Sequence, residues 1–455
     1  MNLHGSMLGF PNFDDSQARV RVREIERLMD VSLSATQYIN AKEAARLVAT
    51  LMQSYRRSLE NEKWASDLFL MRSVTENRRF NLVCAAVFDL VSNMAYLHDR
   101  LVNARWIYCS RSDQVSPRKY YSFLKQCPRC CLDKGLESRL TGAQHKPSSH
   151  HIGEITGITS VLILKLLGAS LDHPLSLATI QKQSHDTDAI AFRSDVLVLF
   201  EIKASPLVTF SVAAELEQPM VTEGADGEKV EYKQHSLVDH ETHSRPLHLF
   251  IPHRDIMIPL GTGTGQEWPF TEAVSYFSDA DNFLDYLSAW LELYYAYSIP
   301  KTQRLGRTQH LTYLVNGWGD EIDSNKTKPG LGRTDDLKKG TYQMLKFGAY
   351  YRDTEASLQV RSALVANIDP VFLKAEYLDG LKNVRWGKGE DFSETENGFA
   401  IDANKLRYLY EAVLAFNEPL INDPLMRELF DFQRTDQVLI DGGLNELLSQ
   451  WSAAL

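Results

Sequence analysis

A short apolar hairpin framed by charged residues constrains this chain more than any other stretch. Residues 186–203 read Asp-Thr-Asp-Ala-Ile-Ala-Phe-Arg-Ser-Asp-Val-Leu-Val-Leu-Phe-Glu-Ile-Lys. Two apolar runs flank the polar turn Arg193-Ser194-Asp195, so they read as paired antiparallel strands. Asp188 opens the first strand and Glu201-Ile202-Lys203 ends the second. Side chains alternate along a strand, so Glu201 and Lys203 share a face while Ile202 points the other way. Closing the hairpin brings Asp188 near Glu201. Two carboxylates on adjacent strands suit Mg²⁺, and a neighbouring ammonium can orient or deprotonate a water and offset negative charge. This is the set a metal-dependent phosphodiesterase needs. The competing reading of Glu201 and Lys203 is a surface ion pair at a strand end.

The rest of the chain sets bounds on that chemistry. With 455 residues it has room for two or three domains, or for one core with large insertions. Net charge is −10, from 49 Lys and Arg against 59 Asp and Glu. That argues against an indiscriminate polyanion binder but leaves room for a local basic channel. One such stretch is 300–352, where ten Lys and Arg outnumber five Asp and Glu, a local net of +5. A solvated face and a phosphate-contacting surface both fit it. No run of ~20 apolar residues predicts a membrane span, and the first residues lack the basic and apolar regions of a secretory signal. The expected location is the cytoplasm, with no membrane partner.

Along the chain, 1–108 reads as a helical N-terminal domain, with apolar recurrence at three and four residues over 41–52 and 78–102. Residues 109–151 are rich in Cys, His, Lys and Ser and read as a small Cys/His-rich module. A helix is expected over 152–171, then the two hairpin strands, then strands at 207–213 and 247–251. The stretch 215–244 reads as an acidic loop or insertion. Gly261-Thr-Gly-Thr-Gly265 lacks the Lys-Ser/Thr of a phosphate loop and reads as a turn. An aromatic helix is expected over 277–297, a helix over 340–351 and a strand over 362–368. The region 371–455 reads as mainly helical.

Five cysteines, an odd number, argue against a disulfide framework. Cys127-Pro-Arg-Cys130 has the spacing of a metal knuckle, with Cys131 adjoining, Cys109 upstream and His145 downstream. A tetrahedral Zn²⁺ could take Cys109, Cys127 and Cys130 plus Cys131 or His145. Reduced, unliganded cysteines are the alternative. The segment 145–151, including His150, carries hydroxyls, imidazoles and a lysine that suit phosphate or base-edge contacts, and equally suit a polar linker.

Asp188 with Glu201-Ile202-Lys203 resembles the PD-(D/E)xK nuclease signature, although Thr187 stands where that pattern has proline. The resemblance implies an α/β fold: a mixed-sheet core in the order α-β-β-β-α-β over 152–370, with an insertion at about 214–339. The helical N-terminal domain, a candidate zinc module and helical C-terminal additions would flank it. It also implies a Glu on the helix before the first strand, matched by Glu154, which could hold a second metal or a bridging water. The later helix carries Gln343, Lys346, Phe347 and Tyr350, and resembles the Gln/Tyr-bearing helix of exonuclease-like members. Gln343, Lys346 and His150 are thus candidates for DNA contact.

The implied activity is Mg²⁺-dependent hydrolysis of DNA phosphodiesters to 5′-phosphate and 3′-hydroxyl ends. A site-specific type II restriction endonuclease acting on double-stranded DNA is expected. It would work as a homodimer, because cutting both strands is simplest with two copies of one site. Another nuclease of the superfamily, a repair exonuclease or defence effector, and a non-catalytic zinc-containing nucleic-acid-binding protein remain open.

Overall fold

The structure is a computed structural model that describes residues 41–60, 76–97, 105–109, 117–121, 127–134, 149–168, 175–179, 187–193, 195–218, 220, 230–234, 245–262, 267–300, 303, 311, 314–315, 328–351, 359–430 and 432. In chain order these form α1 (Ala41–Leu59), α2 (Glu76–Ala95), β1 (Arg105–Cys109), β2 (Arg118–Tyr121), α3 (Pro128–Lys134) and α4 (Ser149–Leu167). Then come β3 (Ser176–Thr179), β4 (Ala189–Arg193), β5 (Val196–Ile202), β6 (Ser211–Glu215), β7 (Val230–Gln234), β8 (Leu247–Ile251) and β9 (Ile256–Gly261). The helices α5 (Phe270–Tyr276), α6 (Ala280–Ser298) and α7 (Thr334–Tyr351) precede β10 (Gln359–Ala366). The chain continues through β11 (Arg385–Trp386), β12 (Phe392–Thr395), β13 (Gly398–Ile401), β14 (Arg407–Tyr408), β15 (Ala412–Ala415), β16 (Leu420–Ile421) and α8 (Pro424–Leu429). These elements fall into two compact units, one drawn from Thr156–Ala204 and Gly330–Arg434, the other from Thr36–Ile155 and Ser205–Pro329.

The first unit is built on a mixed sheet in the order β16-β15-β10-β5-β4-β3. β3, β4 and β5 form an antiparallel meander, whereas β5, β10 and β15 run parallel. The central strand β5 is a nearly continuous apolar run, Val-Leu-Val-Leu-Phe, and all five residues are buried. A strand covered on both faces needs apolar residues at every position rather than alternation. On one face Ile190, Phe192, Leu197, Leu199 and Leu364 form a core with Leu337, Met344 and Phe347 of α7. On the other, Phe200 meets Phe430 edge-on at 6.0 Å.

Helix α7 approaches β10 closely through Gly340, where a Cβ would lie 2.7 Å from Leu364 Cδ1. Gly340→Ala should therefore lower stability. The gain of about 1 kcal/mol in helix propensity is outweighed by overpacking that typically costs 1–3 kcal/mol. Urea unfolding of the variant measures the difference, and a midpoint at or above the parent's would refute the close approach.

The second unit carries an antiparallel sheet in the order β7-β1-β2-β6-β8-β9. Helices α1, α2 and α6 pack together in this unit. Tyr55 of α1 meets Phe283 of α6 edge-on at 6.3 Å, and the Tyr286 hydroxyl of α6 donates to the Ala86 carbonyl of α2 at 2.6 Å. The N-terminal helices are thus not a domain of their own, as residues 1–108 led one to expect. Their apolar faces are covered by α6, which lies in the 214–339 segment read as an insertion.

Three further expectations are corrected. Residues 207–210 are not part of a strand, because two buried side chains of α2 take their hydrogen bonds. The Asp89 carboxylate accepts from the Leu207 N–H at 2.9 Å, Asn93 Oδ1 accepts from the Phe210 N–H at 3.0 Å, and Asn93 Nδ2 donates to the Val208 carbonyl at 2.8 Å. The segment 215–244 is not all loop, since β7 lies inside it and pairs with β1, Tyr232 opposite Ile107. Over 371–430 the chain is not mainly helical. Short strands alternate there with α8 and brief 3₁₀ and π turns. The apolar run Ala-Val-Leu-Ala of β15 pairs in parallel with β10, and the sheet decides its form. Residues 433–455 lie outside the described residues.

Candidate functional site in the mixed-sheet unit

The hairpin forms as its sequence requires. In the antiparallel register Ala189 pairs with Phe200 and Arg193 with Val196. The Asp188 N–H, just before β4 begins, donates to the Phe200 carbonyl at 2.9 Å and so brings Asp188 beside the end of β5. Thr187, in the position before the acid, is buried, with its hydroxyl 2.9 Å from the Phe200 carbonyl and 2.8 Å from that of Ala189.

Asp188 is exposed, and its Oδ2 accepts from the Ile202 N–H at 2.7 Å. Lys203 Nζ donates to Glu201 Oε1, with both side chains largely withdrawn from solvent, and the Lys203 N–H donates to the Val365 carbonyl of β10 at 2.8 Å. The strand end is thereby held between β4 on one side and β10 on the other. Burial pushes the Lys203 ammonium pKa down. Glu201, Asp188 and Asp336 more than offset it, so the pKa stands above the ordinary lysine value and the group is charged.

Asp336 is the residue that sequence reasoning missed. It lies in the first turn of α7, 3.5 Å from Arg333. Acids are favoured at any helix start by the macrodipole, so the Asp335-Asp336 pair carried no distinguishing signal. Alternation places Glu201 and Lys203 on the same face of β5 as Leu199, the face that α7 covers. The start of α7 therefore supplies a third carboxylate to the field around Lys203.

The other candidates separate. Gln343 and Lys346 are half-buried on α7, whereas Phe347 is in the core beside Met344, so that face is partly structural rather than wholly open to a ligand. Glu154 is half-buried on α4, in the part of that helix that belongs to the other unit. The His150 side chain and His145 lie outside the described residues. Of the basic stretch 300–352, Lys338 sits 6.0 Å over the Tyr377 ring, and much of the rest lies outside the described residues.

In the second unit, the side-chain sulfurs of Cys109, Cys127 and Cys130 lie within 4.8 Å of one another, and all three residues are buried. This cluster could hold a metal such as zinc. The Cys/His-rich stretch is nonetheless not a separate module: Cys109 ends β1 in the sheet, while Cys127 and Cys130 flank the start of α3. Cys131 is buried too but is not one of the clustered three.

Comparison of the chain with protein-family models, curated proteins and solved structures finds no match. Among the described residues, no helix is long and apolar enough to cross a membrane.

Proposed function

We propose that the chain is a Mg²⁺-dependent DNA endonuclease resembling the PD-(D/E)xK superfamily, and most specifically a type II restriction enzyme. The single observation that carries this reading is that Asp188 is bound to the end of β5 through the Ile202 N–H, where Lys203 Nζ is bonded to Glu201 and lies in the field of both acids. The element order around them, α4-β3-β4-β5 and later α7-β10, supports it, as does the parallel pairing of β5 with β10.

The donor set fits a hard divalent cation. It consists of carboxylate oxygens from Asp188 and Glu201, with the carbonyl of Ile202, next to Glu201 in sequence, as a further oxygen. Bound there, Mg²⁺ would supply Lewis-acid polarisation of a phosphoryl oxygen and a more acidic water. The residues of the chain divide the remaining work. The Ile202 N–H holds Asp188 Oδ2 in place, which fixes the carboxylate without occupying Oδ1. Lys203, charged and fixed by its strand, orients the attacking water and stabilises negative charge as the phosphate becomes pentacoordinate. Hydrolysis leaves a 5′-phosphate and a 3′-hydroxyl, and a symmetric dimer would bring one such site to each strand of a duplex.

Digestion of a defined closed-circular plasmid with Mg²⁺ tests the reading. Discrete fragments with ligatable 5′-phosphate ends are expected. Degradation that requires a free end would place the protein among exonucleases of the same chemistry. No cleavage on any DNA, single- or double-stranded, would refute the nuclease reading.

A further inference from the structure

We infer that Cys109, Cys127 and Cys130 are three ligands of a structural zinc ion that fastens the short helix α3 to the antiparallel sheet of the second unit. Zinc binds thiolates at about 2.3 Å in a tetrahedral shell, which sets its sulfurs about 3.8 Å apart. The distance between Cys109 Sγ and Cys130 Sγ is 3.3 Å, and all three sulfurs fall within 4.8 Å, so the cluster brackets that spacing. A disulfide would join two of the three at about 2.05 Å and strand the third. Soft thiolate sulfur also selects zinc over the hard cations that suit the Asp188 site.

The convergence of three buried sulfurs within 4.8 Å favours a resident ion over separately packed thiols. The sulfurs share a cluster with Ile107, Tyr120, Ala213 and Phe250. On binding the ion each thiol would release its proton to solvent, with no change of oxidation state. Three thiolates leave one position of the tetrahedron for water or another donor.

The site has a mechanical purpose. α3 has seven residues, too few to be stable by itself. One fastening is visible on its outer side, where Arg129 of α3 and Arg118 of β2 both donate to Asp255 Oδ1, at 2.7 and 2.8 Å. The cysteines join the same helix to β1 from within. Cys131 has a different part. Its sulfur is not among the three that converge, and it packs as a buried side chain.

Metal analysis of the full chain, purified under reducing conditions without chelator, tests this. About one zinc per chain is expected, falling below about a tenth in Cys109→Ser and Cys130→Ser and retained in Cys131→Ser and Cys84→Ser. Should the ligand variants fail to fold, cobalt exchange into the unmodified protein decides the matter, because thiolate-to-cobalt charge transfer gives an intense near-ultraviolet band. Absence of both zinc and that band would overturn the proposal. So would iron with acid-labile sulfide, a Cys109–Cys130 disulfide in the native mass, or full retention of zinc by a folded Cys130→Ser. Loss of zinc in Cys131→Ser equal to that in Cys130→Ser would overturn the ligand set.

Discussion

Lys203→Ala and Glu201→Gln should each lower Mg²⁺-dependent cleavage of plasmid DNA by on the order of 10³-fold while leaving the fold intact. Loss of about 4 kcal/mol of transition-state stabilisation corresponds to that factor, and metal-ligand or charge-stabilising groups contribute several kcal/mol. The two substitutions act differently. Glu201→Gln preserves volume and one oxygen but removes the negative charge that both a cation and Lys203 require. Lys203→Ala leaves the carboxylates and removes the ammonium they hold. Folding should survive both, because each side chain sits at a strand end rather than in the core of Leu197, Leu199 and Phe347. The measurement is the initial rate of supercoiled plasmid loss, with circular dichroism to establish that the variants are folded. If either folded variant cuts at the parent's rate, the Asp188–Glu201–Lys203 site is not the catalytic one. Asp336→Asn offers a milder companion: it weakens the field on Lys203 without touching β5, and a reduction of about tenfold is expected.

The largest effect on stability is expected at Asp89. Its side chain is fully buried on α2, where Oδ2 accepts from both the Leu207 N–H at 2.9 Å and Trp290 Nε1 at 2.8 Å. Asp89→Leu strands both donors away from water. Each unsatisfied buried group costs about 1–3 kcal/mol, so the variant should lose roughly 3–5 kcal/mol in all. Asp89→Asn keeps an oxygen that can accept from both donors and should lose less than half as much. Urea unfolding followed by tryptophan fluorescence reads the difference. Equal losses for the two variants would mean that the charge of Asp89, rather than its role as acceptor, holds residues 207–210 to the helix. A loss below about 1 kcal/mol for Asp89→Leu would remove Asp89 from the account of how this unit is held together.

Where sequence reasoning succeeded, the interactions were local. The hairpin needed its apolar runs, a polar turn and the two-residue period of a strand, and these alone bring Asp188 beside the end of β5. The last two thirds of α7 followed from its own periodicity, as did most of α6, but the first turns of α7 from Thr334 did not. Some misses had a legible signal. The alternation Val-Glu-Tyr-Lys-Gln marks β7, and Glu396-Asn397 followed by Gly398 marks the turn of the exposed β12–β13 hairpin, where Thr395 pairs with Gly398. Others had none. Ala-Val-Leu-Ala is too short to distinguish strand from helix by period. Leu207 to Phe210 has strand composition, but Asp89 and Asn93, more than a hundred residues earlier, take its hydrogen bonds.

The same division holds for chemistry. The sequence by itself determined which residue types could work together at the hairpin, because adjacent strands translate spacing directly into proximity. It likewise singled out Cys127 and Cys130 by their knuckle spacing. Only the tertiary structure decided that Cys109 joins them and Cys131 does not, since that depends on how the end of β1 meets α3. It alone brought Asp336 into the field of Lys203, because α7 follows β5 by more than a hundred residues and reaches it only by packing on the sheet. And it alone combined the N-terminal helices with α6 in one unit, because an amphipathic face states that it needs a cover without stating which segment will provide it.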